Sequence, residues 1–250
     1  MFKKTITATA VAVALAAPVY AELDGDLSLG YVSEYSFRGL SDSLGANQNG
    51  IGATANIGYS LSDEFRLVGS ATAAGLPSAG VGQIDGHNLY SAGFQYQLEG
   101  FTFELGYMWQ AFYTDGSPAH TGEVYGRAST TCAVTGIDLS LLAAYDTQRL
   151  EGTYIELGAG KGYELTANVD VRLDAGISAA YNYWTESDGL NHAFITLSAP
   201  IAVTENLTLS PFISYTYAFS AIDNDYSKLL GGNVSEGEEF IYGLSASVKF

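Results

Sequence analysis

The charged side chains able to do chemistry in this chain are few and spread along it. Four arginines, Arg38, Arg66, Arg127 and Arg172, recur at intervals, and carboxylates at Glu34, Glu104, Glu156 and Asp174 fall in the same or adjoining segments. Charges of both signs on opposing walls of a narrow passage set up a transverse field that sorts solutes by charge and dipole. The same charges, paired between neighbouring strands, would instead plug the passage, and the sequence leaves both arrangements open. Catalysis is poorly supplied. The histidines are His87, His120 and His192, and nucleophilic chemistry needs one of them positioned beside a nucleophile. His192 with a serine from another strand could act on lipid, but no nucleophile motif accompanies it. The lone Cys132 excludes an internal disulfide and any multi-cysteine metal site. Asp223-Asn224-Asp225 lacks the full spacing of a calcium loop, so it reads as solvated loop charge. No catalytic residue, metal or cofactor is expected.

The elements that must hold these charges show a period of two. Counting back from the end, Phe250, Val248, Ala246, Leu244, Tyr242 and Phe240 share one face, while Lys249, Ser247, Ser245, Gly243 and Ile241 share the other. Successive side chains of a strand point to opposite faces, so this is a strand apolar on one side and mostly small or polar on the other. The pattern recurs over 26–38, 50–61, 65–73, 89–98, 101–113, 122–134, 137–145, 152–165, 170–184, 191–203 and 207–219. With the closing strand, that predicts an all-β, antiparallel up-and-down transmembrane barrel of about twelve strands, with ten to fourteen as the range. Its lumen would carry Glu34, Glu104, Glu123, Glu156, Glu164 and Asp174 with Arg38, Arg66, Arg127, Arg172 and Lys249. In this reading Tyr35 and Phe37 face lipid, Gly39 opens the first outer loop, and His87 and His120 lie in outer loops.

Three further patterns agree. Short turns near residues 62, 99, 135, 167 and 205 alternate with longer links at 39–49, 74–88, 114–121, 146–151, 185–190 and 220–238, the asymmetry of short periplasmic turns and long outer loops, with both termini periplasmic. Outward aromatics fall at two heights, as headgroup-level girdles would. Tyr35, Phe37, Trp109, Tyr113, Tyr181, Tyr183, Tyr217, Phe219, Phe240 and Tyr242 lie on the loop side; Tyr59, Phe65, Phe101, Phe103, Tyr163 and Phe250 lie on the turn side. At the amino terminus Lys3 and Lys4, an apolar stretch to Ala17 and Pro18-Val19-Tyr20-Ala21 read as a signal peptide over 1–21, leaving a single domain at 22–250. A soluble lipocalin-like barrel would reverse the two faces.

Composition sets the partners. The formal net charge of −17, more negative still without Lys3 and Lys4, argues against nucleic acid, whose phosphates would be repelled. The outer links gather acids, among them Asp223, Asp225, Glu236, Glu238 and Glu239, and such a mouth enriches cations within a Debye length of about 8–10 Å. Nothing marks an interface between copies; Gly69, Ala71 and Ala73 only smooth one outer patch, and the oligomeric state stays open.

Near the amino terminus stands Tyr31-Val32-Ser33-Glu34-Tyr35-Ser36-Phe37-Arg38-Gly39-Leu40-Ser41-Asp42-Ser43. It resembles the opening strand of the TorF family of proteobacterial porins, whose pattern looks like V-S-[DE]-Y-x-F-R-G-[IL]-S. The resemblance implies an outer-membrane pore for small hydrophilic solutes without naming one. A final strand ending in Phe250 likewise resembles the signature by which outer-membrane proteins engage the barrel-assembly machinery. Two alternatives stand beside a lipid-embedded pore: a closed structural or adhesive barrel whose loops bind a partner, and a barrel-embedded lipid hydrolase.

Overall fold

A computed structural model of the chain describes residues 23–40, 49–77, 84–114, 117–222, 226–228, 232–233 and 237–250. The signal-peptide reading, Asp223, Asp225 and Glu236 lie outside them. Twelve long strands follow in order: β1 (Leu23–Val32), β2 (Gly50–Ser60), β3 (Phe65–Gly75), β4 (Ile84–Leu98), β5 (Phe101–Thr114), β6 (Ser117–Thr131), β7 (Asp138–Asp146), β8 (Thr153–Thr166), β9 (Val169–Tyr181), β10 (Gly189–Ser198), β11 (Leu207–Ala218) and β12 (Glu238–Lys249). Ile201–Ala202 prolongs β10 beyond Pro200, and Tyr226–Ser227 pairs with Gly232–Asn233 in the last long link.

Each long strand pairs antiparallel with its sequence neighbour. β12 then returns to β1, in register from Asp26 opposite Lys249 to Val32 opposite Gly243. The result is a closed twelve-stranded barrel, and closure leaves no edge to pair elsewhere. Phe250 seals the seam: its N–H donates to the Gly25 carbonyl at 3.0 Å, and Gly25 returns the bond at 3.1 Å. A side chain at Gly25 would collide with the Asn56 carbonyl and with the Phe250 ring, so glycine lets the terminal aromatic approach β1 closely.

The period of two fixes which face goes where. Leu29, Ile51, Phe94, Leu105, Leu157 and Leu244 all point outward and stay exposed, Phe94 by 65% and Leu105 by 64%. An apolar surface that continuous needs a non-aqueous surrounding. Inward-facing hydroxyls pair across strands instead: Thr54 with Thr72 at 3.0 Å, Ser70 with Ser91 at 2.8 Å, and Thr196 with Ser214 at 2.7 Å. At the short-turn end Glu99 (φ 42°) and Gly100 (φ 88°) form the two-residue connection expected between β4 and β5, with the left-handed backbone such hairpins use.

The structure corrects the sequence reading at the long-link end. β4 starts at Ile84 and β6 at Ser117, so His87 and His120 stand on strands rather than in loops. β1 stops at Val32, and Ser33–Leu40 bends into the barrel. Tyr35 and Phe37 therefore pack against the interior cluster instead of facing lipid, and Gly39 is a turn inside the lumen. Tyr183 is also internal and fully buried. Its direction is reversed by Asn182, which takes a left-handed conformation (φ 50°) just after β9 and breaks the alternation.

Candidate functional site

The inward bend is built by a two-residue turn. Phe37 and Leu40 exchange backbone hydrogen bonds of 2.8 and 3.1 Å, and between them Arg38 (φ 52°) and Gly39 (φ 83°) are both left-handed. Glycine accepts this backbone freely; arginine does so at a cost of about 1–2 kcal/mol, which the surroundings must offset. They do so through the Arg38 main chain as well as its side chain. Its carbonyl accepts from Asn191 Nδ2 at 3.1 Å and from Trp184 Nε1 at 3.3 Å.

The guanidinium of Arg38 enters a pocket on the barrel wall. Its Nη1 lies 2.8 and 2.9 Å from the two oxygens of Glu123, and it donates to the Tyr183 hydroxyl. Glu123 also accepts from Gln110 Nε2 at 2.6 Å and from the Tyr183 hydroxyl. The Tyr154 ring lies 4.6 Å and the Tyr183 ring 5.5 Å from the guanidinium carbon. Arg38 is 7% exposed and Glu123 is fully buried. Burial alone would lower the Arg38 pKa; the Glu123 carboxylate beside it outweighs this and raises it, so the cation persists. Burial raises the Tyr183 pKa, keeping its hydroxyl neutral and able to donate to Glu123.

Around this pair a buried cluster narrows the lumen. Leu40, Phe112, Leu150, Tyr154, Tyr183, Trp184 and Ile222 are buried together, with Phe37 and Tyr35 against them. The Tyr35 hydroxyl meets His87 Nδ1 at 2.6 Å, and His87 stacks on Phe112 at 4.2 Å. The long links close over the cluster: Lys228 Nζ donates to the carbonyls of Leu150 (2.5 Å) and Asn182 (2.8 Å), and Thr185 bonds the Ala221 carbonyl at 2.6 Å. Asp146, at the end of β7, accepts from the N–H groups of Gln148, Arg149 and Leu150 at 2.9–3.0 Å and shapes the next link.

The short-turn half is different. Its cavity of about 470 Å³ is lined by Thr102, Ser129, Ser140, Glu156, Arg172, Asp174 and Phe194. Arg172 bridges Asp138 at 2.8 Å and Asp174 at 2.9 Å, reaching across β8 where Gly160 leaves room. Tyr154 donates to Glu156 and Tyr125 donates to Glu104, the latter at 2.6 Å. Arg127 stands opposite Glu104 in register and is exposed on the lumen side; Arg66 pairs with Asp24. Arg38, Arg66, Arg127 and Arg172 thus do not form one ring. Arg38 belongs to the long-link end and takes Glu123 as partner, while the other three stand nearer the short turns. Glu34 lies in the bend after β1; Glu239 faces the lumen buried, and Glu238 points outward beside Tyr215.

His192 does meet a serine from another strand: Ser178 Oγ lies 2.7 Å from its Nδ1. The same hydroxyl donates to the His192 carbonyl (3.1 Å) and accepts its N–H (3.2 Å), spanning the irregularity in β9–β10 pairing between Leu190 and Ala193. Gly39 rests directly on the His192 ring. Sequence reasoning missed Tyr154, Tyr183 and Trp184 as partners of Arg38 and Gln110 as a partner of Glu123, because partners drawn from separate strands and a link carry no local pattern.

No family model and no curated protein matches the chain. Among solved structures, the NanC porin superposes with a TM-score of 0.50 at 12% identity, covering 90% of this chain and 100% of that one. An outer-membrane channel from Pseudomonas putida F1 gives 0.52 at 12% identity over 94% and 97%. LpxR from Salmonella typhimurium gives 0.54 at 10% identity over 89% and 99%. These are likenesses of fold, and the fold they share is the closed outer-membrane barrel.

Proposed function

We propose that this chain is a bacterial outer-membrane channel for passive diffusion of small hydrophilic solutes, narrowed at its long-link end by the docked Ser33–Leu40 segment. One observation carries the reading: a closed barrel with an apolar exterior holds an open-mouthed cavity of about 470 Å³ whose lining mixes polar and apolar groups and carries charges of both signs. A purely structural barrel has no need to leave that half open and hydroxyl-lined. The acids lining it, Glu156, Asp138 and Asp174, outnumber Arg172, which favours cations weakly. The Tyr31–Ser43 motif supports membership of the TorF family, and the seam made by Phe250 and Gly25 suits a carboxy-terminal strand read by the assembly machinery. Proteoliposomes containing the purified chain should swell in small neutral sugars, at rates falling with solute size. Swelling equal to that of empty liposomes refutes the reading.

A second reading, a barrel-embedded lipid hydrolase, draws on the Ser178–His192 contact. We take the pair as structural, since the serine spends its hydroxyl on the His192 backbone and Gly39 covers the ring. Lipid hydrolysis that disappears in Ser178→Ala would reverse this.

A further inference from the structure

Apart from the adjacent Phe37 ring, 5.2 Å from its guanidinium carbon, the wall around the Arg38 side chain is made by other parts of the chain. Glu123 comes from β6, Gln110 from β5, Tyr154 from β8 and Tyr183 from the link after β9. All four are fully buried. Gln110 holds Glu123 Oε1 at 2.6 Å, and Tyr183 donates to the same oxygen, so the carboxylate is oriented by groups that do not depend on Arg38. The two tyrosine rings flank the position of the guanidinium carbon at 4.6 and 5.5 Å. A carboxylate aligned by the barrel, with aromatic faces beside it, is the chemistry that selects a guanidinium over other cations. That group is planar, weakly hydrated and able to stack on rings while donating to an acid.

We propose that the long-link end of the lumen carries a guanidinium-binding cage formed by Glu123, Gln110, Tyr154 and Tyr183, occupied in cis by Arg38, for which solutes bearing a guanidinium group compete. The cis occupant sits in a turn six residues beyond the end of β1 at Val32, a short tether that confers an effective concentration of about millimolar or more. A free guanidinium lacks that advantage, so it enters the cage only when Arg38 is removed or the segment undocks. Occupation by solute and docking of Ser33–Leu40 are then mutually exclusive, and the solute that binds is also the one that keeps the segment out. As a statement of which solutes the lumen favours, this rests on the channel reading; the cage itself does not.

The test is chemical rescue. Purified Arg38→Ala in detergent is titrated with methylguanidinium chloride, with methylammonium chloride at equal ionic strength as the control, and its thermal unfolding is followed. A ligand that binds only the folded state raises Tm in proportion to ln(1 + [L]/Kd), so concentrations of roughly 1–100 mM should give a rise of a few degrees that grows with the logarithm of concentration above Kd. Methylammonium should give less than half of it, and the wild-type chain, whose cage is filled, should show neither. Arg38→Lys, which keeps the charge, guards against a variant that does not fold; it should show a smaller rise in the same order of ligands. A shift in Arg38→Ala no larger than in wild type, or equal for the two ligands, overturns the cage. In a planar bilayer, methylguanidinium should block current through Arg38→Ala at concentrations that leave wild type unaffected. Absence of current from both proteins would overturn the channel reading, while the thermal shift would still decide the cage.

Discussion

Gly39→Ala isolates the docking of the Ser33–Leu40 segment, and its magnitude follows from two features of the site. Gly39 has φ 83°, so any other residue there carries the left-handed penalty of roughly 1–2 kcal/mol. A methyl group would also stand 2.8–2.9 Å from Cγ, Nδ1 and Cβ of His192. That ring cannot retreat freely, because Ser178 Oγ holds its Nδ1 at 2.7 Å. Overpacking of this kind costs about 1–3 kcal/mol. Together these give ~2–5 kcal/mol against the docked state, a shift of roughly 30- to 4,000-fold in the ratio of docked to undocked segment. The amides of Phe37 and Leu40, which bond each other across the turn, report on it directly. Their hydrogen exchange should accelerate by a factor in that range while the β1–β2 ladder keeps its protection. Gly100→Ala is the control: its φ is 88° but nothing lies within 4 Å, so only the backbone penalty applies. Exchange at Phe37 and Leu40 unchanged in Gly39→Ala would refute the reasoning.

Other outcomes follow from the same contacts. Glu123→Gln leaves the buried Arg38 cation without its counter-charge, and loss of one partner of a buried pair costs ~3–5 kcal/mol; docking should weaken by that order in the same exchange experiment, and an unaltered segment contradicts it. Lys228→Met removes the amine that bonds the carbonyls of Leu150 and Asn182, at about 1–2 kcal/mol. Limited proteolysis should then cut the link after β9 faster, with barrel melting unchanged; equal cleavage rates count against the clamp. Arg172→Ala exposes Asp138 and Asp174 to the short-turn cavity, so reversal potentials should move further toward cations, and a move toward anions would show the opposite field.

The barrel was legible because its faces are separated by solvent preference at every second residue. Leu27 and Leu29 opposite Ser28 and Gly30 could belong to no helix, and their outward set reappears in the structure. The docked segment was not legible, because Tyr35 and Phe37 continue the alternation of β1 after the chain has left the ladder at Ser33. Periodicity records which side of the strand a residue would occupy, not whether the strand is still paired. The same blindness hid Tyr183, which keeps step with Tyr181 until a left-handed Asn182 turns it inward. His87 and His120 were lost to loops because polar and small neighbours around them dilute the outward apolar set. Glu104 takes its tyrosine partner, Tyr125, from the neighbouring strand, a pairing set by register that no local pattern records, whereas Glu156 takes Tyr154 from two residues before it on the same strand.

The most direct test of the channel is single-channel recording of the purified wild-type chain in a planar bilayer under a salt gradient. Discrete conductance steps with a reversal potential displaced modestly toward cations are the predicted result. A silent bilayer, or clear anion selectivity, would contradict the account.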